Sequence, residues 1–153
     1  MQPLPLKPIE VSAPFQQWGL DFIGEIHPAS SGQHRWILTA TDYFTKWIEA
    51  IPTRQAMDSV IIYFLENNIL SRFGCPNKLI TDNAATFKSK MMIEFCDKYH
   101  IILGHSTTYH PQGNGLAESS NKYLVKIIKM LLEINNKSWH KKLVNVLWED
   151  QVS

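Results

Sequence analysis

The chain has 153 residues, 44% of them apolar, which suits one domain with a real core and is short for two. Fifteen basic against fourteen acidic residues leave a formal charge of +1. That balance excludes a uniformly basic nucleic-acid coat and an acidic disordered chain. The longest unbroken apolar run, Val60 to Leu65, is far below the roughly 20 residues of a membrane span.

Residues 1–14 carry Pro3, Pro5, Pro8 and Pro14 and no apolar stretch of a secretory signal, so they read as an extended leader. Trp18 to Ile26 alternates, with Trp18, Leu20 and Phe22 on one face and Asp21, Ile23 and Glu25 on the other, which predicts a strand. Pro28 to Gly32 is a loop. Trp36 to Thr41 is a second strand, Asp42 to Thr45 a tight connection, and Lys46 to Ile51 a third strand stopped by Pro52. Three strands on short loops make an antiparallel meander.

The period then lengthens. Val60, Ile61, Phe64, Leu65, Ile69 and Phe73 predict a helix that starts near Gln55 or Asp58 and ends at Gly74. Lys78 to Thr81 is a short strand running into Asp82-Asn83. Lys88 to Tyr99 is a second helix, with Met91, Met92, Phe95 and Cys96 inward. Ile101 to Leu103 is a short strand, and Gly104 to Gly115 a polar loop, because Pro111, Gly113 and Gly115 disfavour helix. Leu116 to Glu133 is a long helix on Leu116, Leu124, Ile127, Ile128 and Leu131, and Trp139 to Glu149 is a last one. The order β-β-β-α-β-α-β-α-α implies a mixed sheet with helices packed on it. Cys75 and Cys96 form no C-x-x-C pair and are too few for a disulfide scaffold, so a reducing compartment is expected.

Three acids stand apart from the surface charges. Asp21 lies inside an apolar strand, Asp82 ends another, and Glu118 falls in the first turn of the long helix. Each has an ordinary explanation: a solvated strand face, a turn, a favourable helix dipole. Brought together they would repel, and would need cations; hard oxygen ligands of this kind suit Mg²⁺ or Mn²⁺ rather than zinc. Two such ions about 3.5–4 Å apart can activate a water or hydroxyl and stabilise the leaving oxygen of a phosphodiester.

Asp82 and Glu118 are separated by 35 residues. That spacing, with Asp21 upstream, resembles the acid signature of retroviral and retrotransposon integrases. Trp18-Gly-Leu-Asp-Phe-Ile-Gly24, Asp42-Tyr-Phe-Thr-Lys-Trp-Ile-Glu-Ala50, Phe73-Gly-Cys-Pro76, Ile80-Thr-Asp-Asn83 with Phe87, and Tyr109-His-Pro-Gln-Gly-Asn-Gly-Leu-Ala-Glu118 with Asn121-Lys122 are similar to successive blocks of the Ty3/gypsy-type integrase core. The likeness runs from about residue 14 to 148.

The resemblance implies an α/β, RNase H-like fold: a five-stranded mixed sheet, three antiparallel strands then two parallel additions, flanked by helices. It implies Asp21, Asp82 and Glu118 as catalytic residues and as ligands of two Mg²⁺ or Mn²⁺ ions. The expected reaction is cleavage near each end of the element's DNA, then attack of the new 3′-hydroxyl on target DNA. It further implies a homo-oligomer that binds element ends and target DNA, no membrane partner, and a nuclear location. The core is expected over 15–150 after the leader at 1–14. Related elements continue past Trp148-Glu-Asp-Gln with a further helical stretch and have flanking zinc-binding and DNA-binding domains, so a C-terminally truncated core is expected.

Gln112 and Asn114, in the loop that contacts DNA ends in the family, are candidate DNA ligands. Asn121 and Lys122 match its helix motif. Lys126 and Lys129 join them by helical periodicity alone, on one side with Glu118 and Val125. Between Ser119 and Lys142 six lysines face one acid, Glu133, and such a stripe serves either as a solvated face or as a rail for phosphates. Asn83 is expected to support Asp82 or cap its turn, and His110, without a spaced His or Cys partner, to pack or hydrogen-bond rather than ligate metal. The family usually has Gly where this chain has Ala84; a positive φ there would strain alanine by about 1 kcal/mol. The alternative to an active enzyme is a decayed, folded relic that binds nucleic acid or partners weakly.

Overall fold

A computed structural model describes residues 13–106, 111–134 and 138–152, with only the backbone described at 111–121 and 134. Strands β1 (Gln17–Gly24), β2 (Trp36–Asp42) and β3 (Ile48–Thr53) form the expected meander, and β4 (Lys78–Thr81) and β5 (Ile102–His105) complete one sheet in the order β3-β2-β1-β4-β5. β1–β2 and β2–β3 pair antiparallel, while β1–β4 and β4–β5 pair parallel. This is a five-stranded RNase H-like mixed sheet.

β3 does not stop at Pro52. Pro52 pairs with Ile37, and the Arg35 amide donates to the Thr53 carbonyl at 3.0 Å. Backbone polar groups alternate sides along a strand, so Thr53 faces β2 and the Pro52 nitrogen faces outward. β3 is an edge strand, and proline loses no ladder bond there. The turn before it is organised by Asp42, which is fully buried. Asp42 Oδ1 accepts from the Phe15 amide at 3.0 Å, and Oδ2 accepts from the Thr45 amide at 2.9 Å and hydroxyl at 2.6 Å.

Helix α1 (Asp58–Phe64) continues through a π-helical stretch, Leu65–Leu70, into one last turn, α2 (Ser71–Phe73). The chain leaves it through Gly74 at φ +88°, a conformation that glycine adopts without strain. Arg72 Nη1 ties this helix to β3 by donating to Glu49 Oε2 at 2.9 Å, while Trp47 Nε1 donates to Glu49 Oε1 at 2.6 Å. Helix α3 (Lys90–Lys98) begins later than Lys88, because Ala85–Lys88 forms a 3₁₀ turn and Ser89 caps the helix by accepting from the Met92 amide at 3.2 Å. Met92, Phe95 and Cys96 are inward as expected; Met91 is exposed, because three inward positions already fill the face of this short helix. Burial pushes the Cys96 thiol up to about 11, helped by Asp97 and Cys75, so it behaves as a packing residue.

Helix α4 (Pro111–Ile134) starts five residues before the expected Leu116. The backbone of 111–115 is therefore helical rather than loop. Proline fits a first helical position, where no intrahelical amide bond is lost. Glu118 accordingly stands two turns into the helix, not in its first turn. Helix α5 (Trp139–Val152) closes the fold. One core, on Trp18, Leu20, Leu38, Phe64, Leu79 and Phe95, lies between the sheet and α1–α3; a second, on Ile37, Ala50, Leu124, Ile128, Trp139 and Leu143, lies between its other face and α4–α5. Trp18 and Trp139 are fully buried, while Trp148 is exposed. Among the described residues, no helix is long and apolar enough to cross a membrane.

Candidate active site

Asp21 belongs to β1. Its neighbours Leu20 and Phe22 pack into the first core, so alternation turns Asp21 to the other face, with Ile23, under the layer that α4 forms. Asp21 pairs with Thr39, whose hydroxyl donates to the Asp21 carbonyl at 3.3 Å. Asp82 follows β4. The parallel register runs Gln17 with Lys78, Trp18 with Leu79 and Gly19 with Ile80. Continued by two residues, it sets Asp82 beside Asp21. Asp21 thus lies on β1, and Asp82 lies just past the C-terminal end of its parallel neighbour β4, where open α/β sheets place ligands.

Asp82 is exposed, and its Oδ1 accepts from the Ala84 amide at 2.8 Å. The turn is therefore closed by the aspartate's own side chain; Asn83 is exposed. Ala84 has φ −60° and ψ 140°, ordinary extended backbone, so alanine in place of glycine carries no strain. Beyond it the 3₁₀ turn drives Phe87 into the core against Phe22, ring centroids 5.8 Å apart, and so anchors the far side of the turn.

A brace behind Asp82 was not visible in the sequence. The Thr81 hydroxyl donates to the Asp82 carbonyl at 3.0 Å. It therefore accepts from His105 Nδ1 at 2.7 Å, which also lies 3.3 Å from that carbonyl. Ser106 donates its amide at 2.7 Å and its hydroxyl at 3.2 Å to the Thr81 carbonyl. Only the pairing of Thr81 with His105 across β4 and β5 brings these side chains together; no local motif marks them.

Glu118 lies on α4, the helix whose Leu124, Ile127, Ile128 and Leu131 cover the sheet face that bears Asp21. The side chains of Glu118, Gln112, Asn114 and Asn121, and all of His110, lie outside the described residues. Lys122, Lys126 and Lys129 are exposed along α4, and none is ion-paired with another described residue. Tyr123 donates from its hydroxyl to Asp150 and links α4 to α5; burial, then that bond, raises it to about 12.

No cluster of three His, Cys, Asp or Glu that could hold a metal occurs among the described residues, a set that lacks the Glu118 side chain. Asp21 and Asp82 offer carboxylate oxygens, the donor type that suits a hard divalent cation.

The family model of the integrase core domain matches residues 11–111, a stretch that includes Asp21 and Asp82 and stops before Glu118. The chain is 29% identical over 139 residues to the Gag-Pol polyprotein of avian reticuloendotheliosis virus, covering 91% of this chain and 12% of that protein. It is 27% identical over 152 residues to the transposon Tf2-3 polyprotein of Schizosaccharomyces pombe, covering 97% of this chain and 11% of that protein. It therefore spans only a small part of these relatives. A solved simian T-cell lymphotropic virus intasome in complex with a PP2A regulatory subunit, B56 gamma, has a chain of similar fold, with TM-score 0.73, 21% identity, and 88% of this chain and 48% of that chain covered.

Proposed function

Since the chain belongs to the integrase core domain family, we propose that it carries out metal-dependent polynucleotidyl transfer on DNA, as the catalytic core of a retrotransposon integrase. The observation that supports this reading is the parallel pairing of β1 with β4, which, continued by two residues, sets Asp82 beside Asp21 on the sheet face covered by α4, the helix bearing Glu118. Asp21, Asp82 and Glu118 are the residues that would hold two Mg²⁺ or Mn²⁺ ions. Bound there, the ions supply Lewis acidity toward a phosphodiester and lower the pKa of a coordinated water or hydroxyl. The chain's own residues do the positioning. β1 and β4 fix two of the acids, the turn at Ala84 orients one oxygen of Asp82, and Thr81 and His105 fix its carbonyl. Lys122, Lys126 and Lys129 offer exposed positive charge for phosphates, and Gln112, Asn114 and Asn121 offer hydrogen bonds to the DNA end. Asn83 and His110 are supporting residues in this reading. End cleavage and strand joining, assembly into a homo-oligomer and nuclear action follow as parts of the same proposal.

Ala84 is one of two grounds for the relic alternative, beside the expected truncation, and the extended backbone at Ala84 removes that one ground. The test is resolution of a branched DNA that mimics the joined product, with Mg²⁺ or Mn²⁺. We expect strand resolution that needs the metal and disappears in Asp82→Asn with Glu118→Gln. A folded chain with no metal-dependent resolution, or resolution that survives the double substitution, contradicts the catalytic reading.

A further inference from the structure

A second group of charges gathers at the same end of the sheet as Asp82 but toward the β3 edge. β3 runs parallel to β1 through their shared neighbour β2, so Thr53 and the loop after β1 lie together. Arg54, just past β3, donates from Nε to the Gly32 carbonyl in that loop at 2.8 Å. His34, in the same loop, stacks on His140 of α5, ring centroids 4.5 Å apart and planes 19° apart. Buried Ser30 holds His34: its hydroxyl lies 3.1 Å from Nδ1 and accepts from the His34 amide at 3.2 Å. Gly32 makes the room, since a Cβ there would lie 2.7 Å from the His34 ring. Lys141 follows His140 and is exposed, as is Arg54.

Among the described residues, no acid is ion-paired with any of these four groups. Glu25, the acid at the start of this loop, turns to His27 and Arg35. Burial, then His140 and Arg54, hold His34 below the usual histidine range; burial, then Lys141 and Arg54, do the same to His140. Both rings are thus neutral more readily than a free histidine, and the exposed Arg54 and Lys141 carry the positive charge of this surface. Exposed cations without an acid partner among the described residues attract an anion. β3 is two strands from β1, about 10 Å across the sheet. Duplex DNA carries a charge per about 1.7 Å of axis, so DNA lying on the carboxylates spans that gap with several phosphates.

We infer that Arg54, Lys141 and the stacked His34–His140 pair form a second binding surface for DNA phosphates, separate from the carboxylate site and from the α4 lysines. The inference rests on the DNA-binding reading above. It is tested by titrating the whole chain with a duplex oligonucleotide across a range of salt. Arg54→Gln with Lys141→Gln should weaken binding and make the dependence of log affinity on log salt shallower by about 0.9 for each phosphate that is no longer neutralised. Lys122→Ala should add its own decrement. Lys141→Gln alone keeps the test valid if removal of the Arg54–Gly32 bond loosens the loop, because the Lys141 side chain has no partner among the described residues. An unchanged slope in both variants, with Lys122→Ala effective, overturns this second surface and leaves the main reading standing. Failure of the unsubstituted chain to bind duplex DNA overturns both.

Discussion

Asp82 is held at three points: by its own turn, by the Thr81 hydroxyl, and by His105 across the strand boundary. His105→Ala removes one donor without touching a carboxylate. We expect about tenfold weaker Mn²⁺ binding, the scale of a support that acts through a ligand. His105→Asn, whose amide can still donate, should recover part of it. A merely structural role would lower thermal stability and leave metal affinity unchanged. The histidine pair gives a second prediction at this scale. Both rings are held below the ordinary value of 6.5 in the fold. The unfolded chain takes up these protons near 6.5, while the folded chain takes them up only at lower pH. Their contribution is therefore full above 6.5 and is lost as pH falls below it. The drop in melting temperature between about pH 7.5 and about pH 5.5 should be smaller in His34→Asn with His140→Gln. An equal drop would show that the pair does not carry this dependence.

Asp42 governs the β2–β3 element, because three donors converge on a carboxylate with no access to water. Asp42→Ala leaves those donors unmatched and should cost about 3 kcal/mol in denaturant unfolding. Ser89→Ala removes the cap of α3 and should cost about 1 kcal/mol. Elements like these explain what sequence can and cannot convey. Alternation marks β1 and names the face of Asp21, because a half-buried strand must alternate. The apolar spacing of α1 and α4 is equally plain. Pro52 reads as a strand end because a single sequence does not say which strand is an edge. Pro111 reads as a breaker until its position in the helix is known. The π-helical stretch in 65–70 carries no proline or glycine to announce it. The three candidate acids are singled out by a spacing that resembles the family's, whereas Thr81, His105 and the His34–His140 pair depend on contacts between distant segments.

The whole molecule is a sheet with two faces of different use. The face toward α1–α3 is packed core, and its closure holds the turn at Phe87 in place. The other face carries Asp21 and is roofed by α4 and α5; α4 bears Glu118, and the two helices hold five of the fifteen basic residues, Lys122, Lys126, Lys129, Lys141 and Lys142. The central proposal is that α4 brings Glu118 to Asp21 and Asp82 to make one metal-binding site. A calorimetric titration with Mn²⁺ tests it directly, on the unsubstituted chain and on Asp21→Asn, Asp82→Asn and Glu118→Gln. The account predicts that each substitution weakens binding by more than the roughly tenfold of a supporting residue, with the fold intact by circular dichroism. Mn²⁺ binding that needs both aspartates but is unchanged in Glu118→Gln would contradict it.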